Sequence, residues 1–167
     1  MIEMKVAGIA LEAASRSPII LLRDSTERRQ LPIYIGQEQA RAIISALENQ
    51  TPPRPLTHDL MVNILDEIGA TLERIVIHSL QDSTFYAVLS VRQGEILKEI
   101  DARPSDAIAL ALRTRSSIWV VEEVIADASI PVDRDADEAE QQAFRDFLSD
   151  LRPSDFTQRG KSKSSES

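Results

Sequence analysis

Two short segments, each led by Arg-Pro, carry the side chains best suited to phosphate chemistry. The first is Arg54-Pro55-Leu56-Thr57-His58-Asp59, and its prolines and polar residues predict a helix start near Thr57. Free N–H groups at a helix start attract anions, and Arg54 would strengthen the binding of a phosphate. His58 and Asp59 could then serve as acid–base partners or metal ligands in phosphodiester cleavage. The alternative is that Thr57 and Asp59 cap the helix and Arg54 pairs with an acid.

The second segment is Asp101-Ala102-Arg103-Pro104-Ser105-Asp106, and Pro104 suits the first turn of another helix. Asp101 and Asp106, together with Arg103, could hold a divalent cation such as Mg²⁺ or Mn²⁺ against a phosphate. A cap at Ser105 or Asp106 combined with an internal Arg–carboxylate pair explains the same residues. The spacing leaves both interpretations open.

The absence or scarcity of other residue types excludes several kinds of site. The chain contains no Cys, which excludes disulfides, thiolate zinc sites and a cysteine nucleophile. The sequence also lacks a phosphate-binding Gly-rich loop, a dinucleotide fingerprint and a metalloprotease His pair. His78 lies in an apolar stretch and is predicted to be structural. Aromatic residues make up 4% of the chain, and Phe85, Tyr86 and Trp119 are predicted to be core residues. That scarcity argues against single-strand binding by base stacking.

The charge balance constrains the partners. A formal net charge of −8 works against a protein that binds nucleic acid by general phosphate neutralisation. Residues 133–150 alone contribute −5 of that charge. This segment could be an acidic appendage that shields a basic surface elsewhere in the chain.

The apolar periodicity predicts an α+β fold with a mixed, largely antiparallel sheet, three core helices and an acidic C-terminal helix. Strands are predicted at residues 4–11, 18–23, 31–35, 72–79, 85–91, 95–100 and 118–121. The core helices are predicted at residues 37–48, 57–68 and 104–113. In the second of them, the predicted buried stripe consists of Leu60, Met61, Ile64, Leu65 and Ile68.

A length of 167 residues fits one domain. Residues 1–132 are predicted to form it, residues 133–152 the acidic helix, and residues 153–167 a disordered polar tail. No apolar run is long enough to span a bilayer, and the first residues lack the pattern of a signal peptide. A cytoplasmic protein without membrane contact is therefore expected.

Both Arg-Pro segments resemble signature stretches of the bifunctional nuclease family. The matching residues are 54–61 and 101–111, and the stretch Pro32-Ile33-Tyr34-Ile35-Gly36, followed by Glu38 and Ala40, resembles a third signature. The resemblance implies a compact α+β domain that forms a homodimer, in a family that cuts both RNA and DNA. The resemblance identifies no catalytic residue. The candidate site residues therefore remain those chosen by residue type.

Two functions compete. In the first, the protein is a metal-dependent phosphodiesterase acting on RNA and DNA, in which Asp101, Asp106 and Asp59 hold the ion, Arg54 and Arg103 bind phosphate, and His58 transfers a proton. In the second, both Arg-Pro segments are structural, and the protein is a dimeric regulatory module. Its acidic C-terminal helix, with Phe144, Phe147, Leu148 and Leu151 on one side, could then bind a protein partner such as nucleic-acid-processing machinery.

Overall fold

The computed structural model describes residues 1–132 and, beyond them, only positions 139, 142, 143, 145, 146 and 149. The acidic helix predicted over residues 133–152 and the tail predicted over residues 153–167 lie outside the described residues, apart from those six positions. The division of the chain into three parts therefore stays a prediction.

An eight-stranded sheet forms the body of the described chain. Its strands are β1 (Ile2–Leu11), β2 (Pro18–Asp24), β3 (Arg29–Tyr34), β4 (Ala70–Gln81), β5 (Thr84–Gln93), β6 (Ile96–Ala102), β7 (Ser117–Val120) and β8 (Ile130–Pro131). They lie in the order β6-β5-β4-β7-β1-β2-β3-β8. The pairing of β4 with β7 is parallel and the other pairings are antiparallel, which confirms the predicted mixed, largely antiparallel sheet.

The helices are α1 (Gln37–Leu47), α2 (Thr57–Glu67), α3 (Pro104–Thr114) and α4 (Glu122–Ala128). The first three match the predicted core helices. Helix α3 begins with Pro104, whose missing N–H would have had no partner at that position in any case. Helix α4 was not predicted because its seven residues are too few to show a clear periodicity. No helix of the described part is long and apolar enough to cross a membrane, and the cytoplasmic location stays a prediction.

The core lies between the sheet and helices α1 and α3. Ile75 and Ile77 of β4 are fully buried, as is Ile108 of α3, and Leu110 is almost so. In α3, every residue from Ala107 to Ala111 is buried, so the helix is apolar on all sides at its centre. The centre of α3 is therefore held against the sheet.

The predicted buried stripe of α2 is wrong at four of its five positions. Leu60, Met61, Ile64 and Ile68 are 38–54% exposed. The buried side of the helix carries His58, and Val62 and Leu65 are partly buried against the core. Apolar residues occur on more than one side of α2, and the sequence alone did not show which side meets the core. The actual orientation turns His58 inward.

Strand β6 is the other exposed apolar element. It is an edge strand, and Ile96, Leu97 and Ile100 are 45–60% exposed. Of the aromatic residues predicted to lie in the core, Phe85 and Trp119 are half-buried and Tyr86 is exposed on β5. The core prediction for Tyr86 was therefore wrong, because residues of β5 alternate between the two faces of the sheet.

Candidate active-site groove

Four separated parts of the chain line one groove of about 770 Å³. Two of them are the Arg-Pro segments that resembled family signatures, and Glu38 of the third family-like stretch lines the groove as well. The groove is lined by Glu38, Gln39, Arg41 and Ala42 of α1, by Pro55, Leu56, Thr57, His58 and Met61 at the start of α2, by Leu89 of β5, and by Ile100, Asp101, Ala102, Arg103, Asp106 and Leu110 of β6 and α3. The two Arg-Pro helix starts, whose separation the sequence left open, are therefore neighbours.

The two helix starts are joined by a chain of hydrogen bonds. The Nε2 atom of His58 lies 2.9 Å from Oδ1 of Asp106, and the Nε–H of Arg103 donates to Oδ2 of the same carboxylate at 2.7 Å. The side chain of His58 is 11% exposed and that of Asp106 is 23% exposed, whereas that of Arg103 is 66% exposed. The arrangement thus runs from a buried imidazole to a guanidinium that solvent reaches.

The charge of Asp106 decides the tautomer of His58. Burial acts to raise the pKa of Asp106, but the hydrogen bonds from Arg103 and His58 outweigh burial and hold that pKa below its ordinary value. The carboxylate is therefore ionised at neutral pH and can only accept hydrogen bonds. A neutral His58 must carry its proton on Nε2, which leaves the lone pair on Nδ1. Within the part of the chain that the structure describes, Nδ1 has no hydrogen-bond partner.

Asp59 lies next to His58 in sequence but belongs to a different cluster. Its Oδ2 accepts the backbone N–H of Leu56 at 3.0 Å, and its Oδ1 accepts Nε–H of Arg113 at 2.8 Å. Asp59 and Arg113 line a separate pocket on another side of α2. The structure therefore does not bring Asp59 into the groove with Asp106.

Arg113 is the partner that the sequence did not reveal. Its position near the end of α3 indicated a cation that favours the helix dipole. In the structure its side chain is only 9% exposed, and it bonds both to Asp59 and, through a second nitrogen, to the carbonyl of Ala109 at 2.9 Å. A basic residue among the apolar residues of α3 was the available signal, but its partner lies 54 residues away.

The helix starts differ from the predicted caps. Leu56, not Thr57, is the N-cap of α2, and Asp59 supplies the acceptor for the backbone N–H of Leu56. Arg103 is the N-cap of α3, and no side chain caps that helix. Asp106 instead points its two oxygens at His58 and Arg103. The proposed Arg–carboxylate pair of α3 therefore exists, and it is part of the groove.

The remaining candidate site residues, Asp101 and Arg54, are both exposed to solvent. Asp101 is exposed and lines the groove, whereas Arg54 is exposed and does not line it. Arg54 forms no ion pair or hydrogen bond with any described residue. No three His, Asp or Glu side chains converge as a metal site among the described residues. Arg41 lines the groove as well. Its Nη1 atom lies 3.5 Å from Oε1 of Glu38, three positions earlier in α1.

These observations define a class of protein. It is an α+β domain with a single sheet and a groove between two helix starts, and Asp106, His58 and Arg103 line that groove. The chain belongs to the bifunctional nuclease domain family, because the family's sequence model, described as the bifunctional nuclease domain, matches residues 20–133. The resemblance seen in the three sequence motifs is thereby confirmed.

Individual relatives span the range from close to distant. An uncharacterized protein of Mycobacterium tuberculosis is 38% identical over 162 residues, which cover 92% of this chain and 97% of that protein. Bifunctional nuclease 1 of Oryza sativa subsp. japonica is 24% identical over 112 residues, which cover 65% of this chain and 34% of the rice protein. Bifunctional nuclease 2 of the same plant is 25% identical over 112 residues, with the same coverage.

Proposed function

We propose that the protein is a nuclease that cleaves phosphodiester bonds of RNA and DNA at the groove. The observation that carries the proposal is the hydrogen-bonded chain from His58 through Asp106 to Arg103, placed in a groove that both Arg-Pro segments line. A histidine held by a carboxylate is an acid–base group, and an exposed guanidinium beside it is a phosphate ligand. The names of the rice relatives support the same activity.

Proton transfer is the role of His58. Its Nδ1 accepts the proton of the attacking hydroxyl, which is water for DNA and either water or the ribose 2′-hydroxyl for RNA. The attacking oxygen forms a bond to phosphorus while the bond from phosphorus to the leaving oxygen breaks, and the leaving oxygen takes a proton from water. The imidazolium of His58 then returns its proton to solvent. Asp106 remains ionised throughout, keeps the imidazole oriented and stabilises the imidazolium that forms.

Phosphate binding is the role of Arg103. One of its N–H groups is committed to Asp106, and the rest of the guanidinium is free to bind phosphate oxygens. Arg41 also lines the groove, where its guanidinium is paired with Glu38. Because Glu38, Asp101 and Asp106 line the same groove, the binding of a phosphate depends on the exposed guanidinium of Arg103 and not on an overall positive charge of the groove. Arg54 contributes only a weak, longer-range attraction from outside the groove.

A divalent cation remains part of the proposal with a limited role. Asp101 and Asp106 both line the groove, but Asp106 is already bonded to His58 and Arg103. Mg²⁺ commonly keeps several waters and uses one or two carboxylates together with phosphate oxygens of the substrate. Asp101 and Asp106 would attract Mg²⁺ or Mn²⁺ in that way, whereas a site built wholly from protein ligands does not fit the described residues. The proton transfer by His58 and the phosphate binding by Arg103 do not require the ion.

The test uses the purified full chain and fluorescent RNA and DNA oligonucleotides. His58→Ala is expected to lower kcat by about 10²- to 10⁴-fold on both substrates, the usual contribution of a general acid–base group. His78→Ala, which removes an exposed histidine of β4, is the matched control and should leave kcat unchanged. If His58→Ala purified in parallel cuts at the wild-type rate, the activity does not come from this groove. Repeating the assay in EDTA, with Mg²⁺ or Mn²⁺ restored and with Asp101→Asn, tests the cation separately.

A homodimer is the second part of the proposal, and an exposed apolar surface supports it. We define the α2–β6 apolar face as Leu60, Met61 and Ile64 of α2, Ile68 directly after it, and Ile96 and Ile100 of β6. Two observations place these elements near each other. Gln93 Nε2, next to β6, donates to the carbonyl of Ile68 at 2.8 Å, and Met61 and Ile100 both line the groove. Exposed apolar surfaces of this kind mark interaction sites.

A second copy of the chain suits this face better than the chain's own C-terminal segment. Among the described strands, β6 lies at one edge of the sheet, and its outer backbone edge can pair with a second β6 in a two-fold arrangement. Val132 follows β8 at the opposite edge of the sheet, seven strand spacings or about 34 Å from β6 at about 4.8 Å per strand, so the following segment would have to cross the sheet to cover this face. Recruitment of a protein partner through residues 133–152 stays a prediction, and it does not require this face.

A further inference from the structure

A second pocket adjoins the groove and shares two of its residues. It has a volume of about 410 Å³ and lies where the end of β3, the start of α1 and the start of α3 meet. Gln39 and Arg103 line both the groove and this pocket, so they form the boundary between them. Tyr34, Phe85 and Ser105 line the far side. A ligand bound to Arg103 in the groove can therefore extend directly into the second pocket.

Tyr34 presents an exposed aromatic ring in this pocket. Tyr34 is 60% exposed. Ile96 is equally exposed, and no other large apolar or aromatic residue of the described part exceeds this value. The hydroxyl donates to Oε1 of Glu12 at 3.1 Å, and Oε2 of Glu12 accepts a hydrogen bond from Ser15. This bond restrains the ring although solvent surrounds it. Such an arrangement leaves an aromatic surface available at a low entropic cost on binding.

Gly36 lines the second pocket beside the boundary. A Cβ atom at this position would meet Oε1 of Gln39, the end of a flexible side chain, so the glycine leaves room for the present position of the Gln39 amide. The Gln39 amide offers both a hydrogen-bond donor and an acceptor there. Tyr34 and Gly36 belong to the third family-like motif, and the acid–base and phosphate-binding roles in the groove use neither of them.

We infer that this second pocket binds the nucleotide next to the cleaved phosphate of a single-stranded nucleic acid, with its base stacked on Tyr34. The inference rests on the proposed function, because Arg103 must bind the phosphate for the neighbouring base to reach Tyr34. Bases can stack on a protein ring only when they are not stacked in a duplex, so the pocket selects single strands. Every base has a ring face, and this subsite therefore serves RNA and DNA alike.

The test compares one aromatic substitution on two kinds of substrate. Tyr34→Ala is expected to raise KM about 10-fold for a single-stranded oligonucleotide, within the range of base–aromatic stacking. It should leave the hydrolysis of bis(p-nitrophenyl) phosphate unchanged, since that small diester needs only the groove. Tyr34→Phe keeps the ring and should stay within about 3-fold of wild type on both substrates. Tyr86→Ala, which removes an exposed tyrosine outside this pocket, is the matched control.

Two results would overturn the inference. One is an unchanged KM for the oligonucleotide in Tyr34→Ala, and the other is an equal loss on the small diester. A direct binding measurement separates this inference from the proposed activity, namely fluorescence anisotropy of a labelled single-stranded oligonucleotide with the full chain carrying His58→Ala. Weaker binding in His58→Ala combined with Tyr34→Ala than in His58→Ala alone supports the subsite even if no cleavage is ever seen. Equal binding by the two proteins contradicts it.

Discussion

His58 and Asp106 are separated by 48 positions in the sequence, yet Nε2 of the first lies 2.9 Å from Oδ1 of the second. The contact joins the first turns of α2 and α3, the two helix starts led by Arg-Pro. It exists because α2 turns His58 inward, toward α3, and leaves much of its apolar surface in solvent. The acid–base chemistry proposed for the groove depends on this one pairing.

The two residues should act as a unit in catalysis. His58→Ala and Asp106→Asn are each expected to lower kcat, and the double variant should be little worse than His58→Ala, because Asp106 acts through the imidazole. The measurement is a double-mutant cycle on kcat with one oligonucleotide substrate. Additive losses would show that Asp106 also contributes independently of His58, for example by holding Arg103, the proposed phosphate ligand.

Asp106 should make stability depend on acid pH. Its pKa is lowered in the folded protein by Arg103 and His58, whose hydrogen bonds outweigh the opposing effect of burial. The stabilisation is therefore complete above the unfolded-state pKa of about 3.9 and is lost as the pH falls through the lower, folded-state pKa. Urea unfolding at several pH values should show that Asp106→Asn is less stable than wild type at pH 6, with the difference shrinking below about pH 4.

Asp66→Asn provides the comparison for that experiment, since Asp66 is an exposed carboxylate of α2. The difference in stability between Asp66→Asn and wild type should be small at every pH. If the difference between Asp106→Asn and wild type stays constant down to pH 3, the ion pairs of Asp106 do not contribute in the way described.

The pair of Asp59 and Arg113 should be structural. Arg113 is 9% exposed, so removal of Asp59 leaves a nearly buried guanidinium without its counter-charge and the Leu56 N–H without its acceptor. We expect Asp59→Ala to lower the free energy of unfolding by about 2–3 kcal/mol, somewhat below the range for fully buried pairs. Chemical denaturation measures this loss. The double variant with Arg113→Met should recover part of it, because no charge is then left buried.

The kinetic consequence separates this pair from the groove. Asp59→Ala should leave kcat much closer to wild type than Asp106→Asn does, under conditions where both variants are folded. A loss of kcat as large as that of Asp106→Asn, without a loss of stability, would return Asp59 to the catalytic role that its position in the sequence indicated.

Local patterns in the sequence predicted most of the fold. The strands of the sheet, apart from β8, and the three core helices follow from alternation, helical periodicity and the prolines at helix starts, all of which act within a few residues. The same patterns drew attention to His58, Asp59, Arg103 and Asp106. They did so because charged residues at helix starts are conspicuous whether they cap a helix or bind a ligand.

Pairing across the chain could not be predicted in the same way. His58 and Asp59 are adjacent, but one bonds to Asp106 and the other to Arg113, and only the rotation of α2 decides this. The apolar side of α2 was assigned wrongly for the same reason. The composition argument against base stacking counted aromatic residues, whereas a subsite needs only one exposed ring in the right place, such as Tyr34.

The α2–β6 apolar face should hold the protein together as a dimer. Wild type is expected to show about twice the chain mass of 18.6 kDa in light scattering coupled to gel filtration. Ile64→Lys places a charge in the middle of the face and should give a monomer, because burying an unpaired ammonium is far costlier than leaving it in water. Ile130→Lys alters an exposed apolar residue at the opposite edge of the sheet and should leave the dimer intact.

Ending the chain at Val132 distinguishes the possible occupants of the face. If a second copy covers it, the shortened protein remains a dimer and Ile64→Lys still dissociates it. If the shortened protein becomes monomeric, the C-terminal segment forms the contact instead, and the edge of β6 is not the site of pairing. A monomeric full-length protein at tens of micromolar would contradict both arrangements.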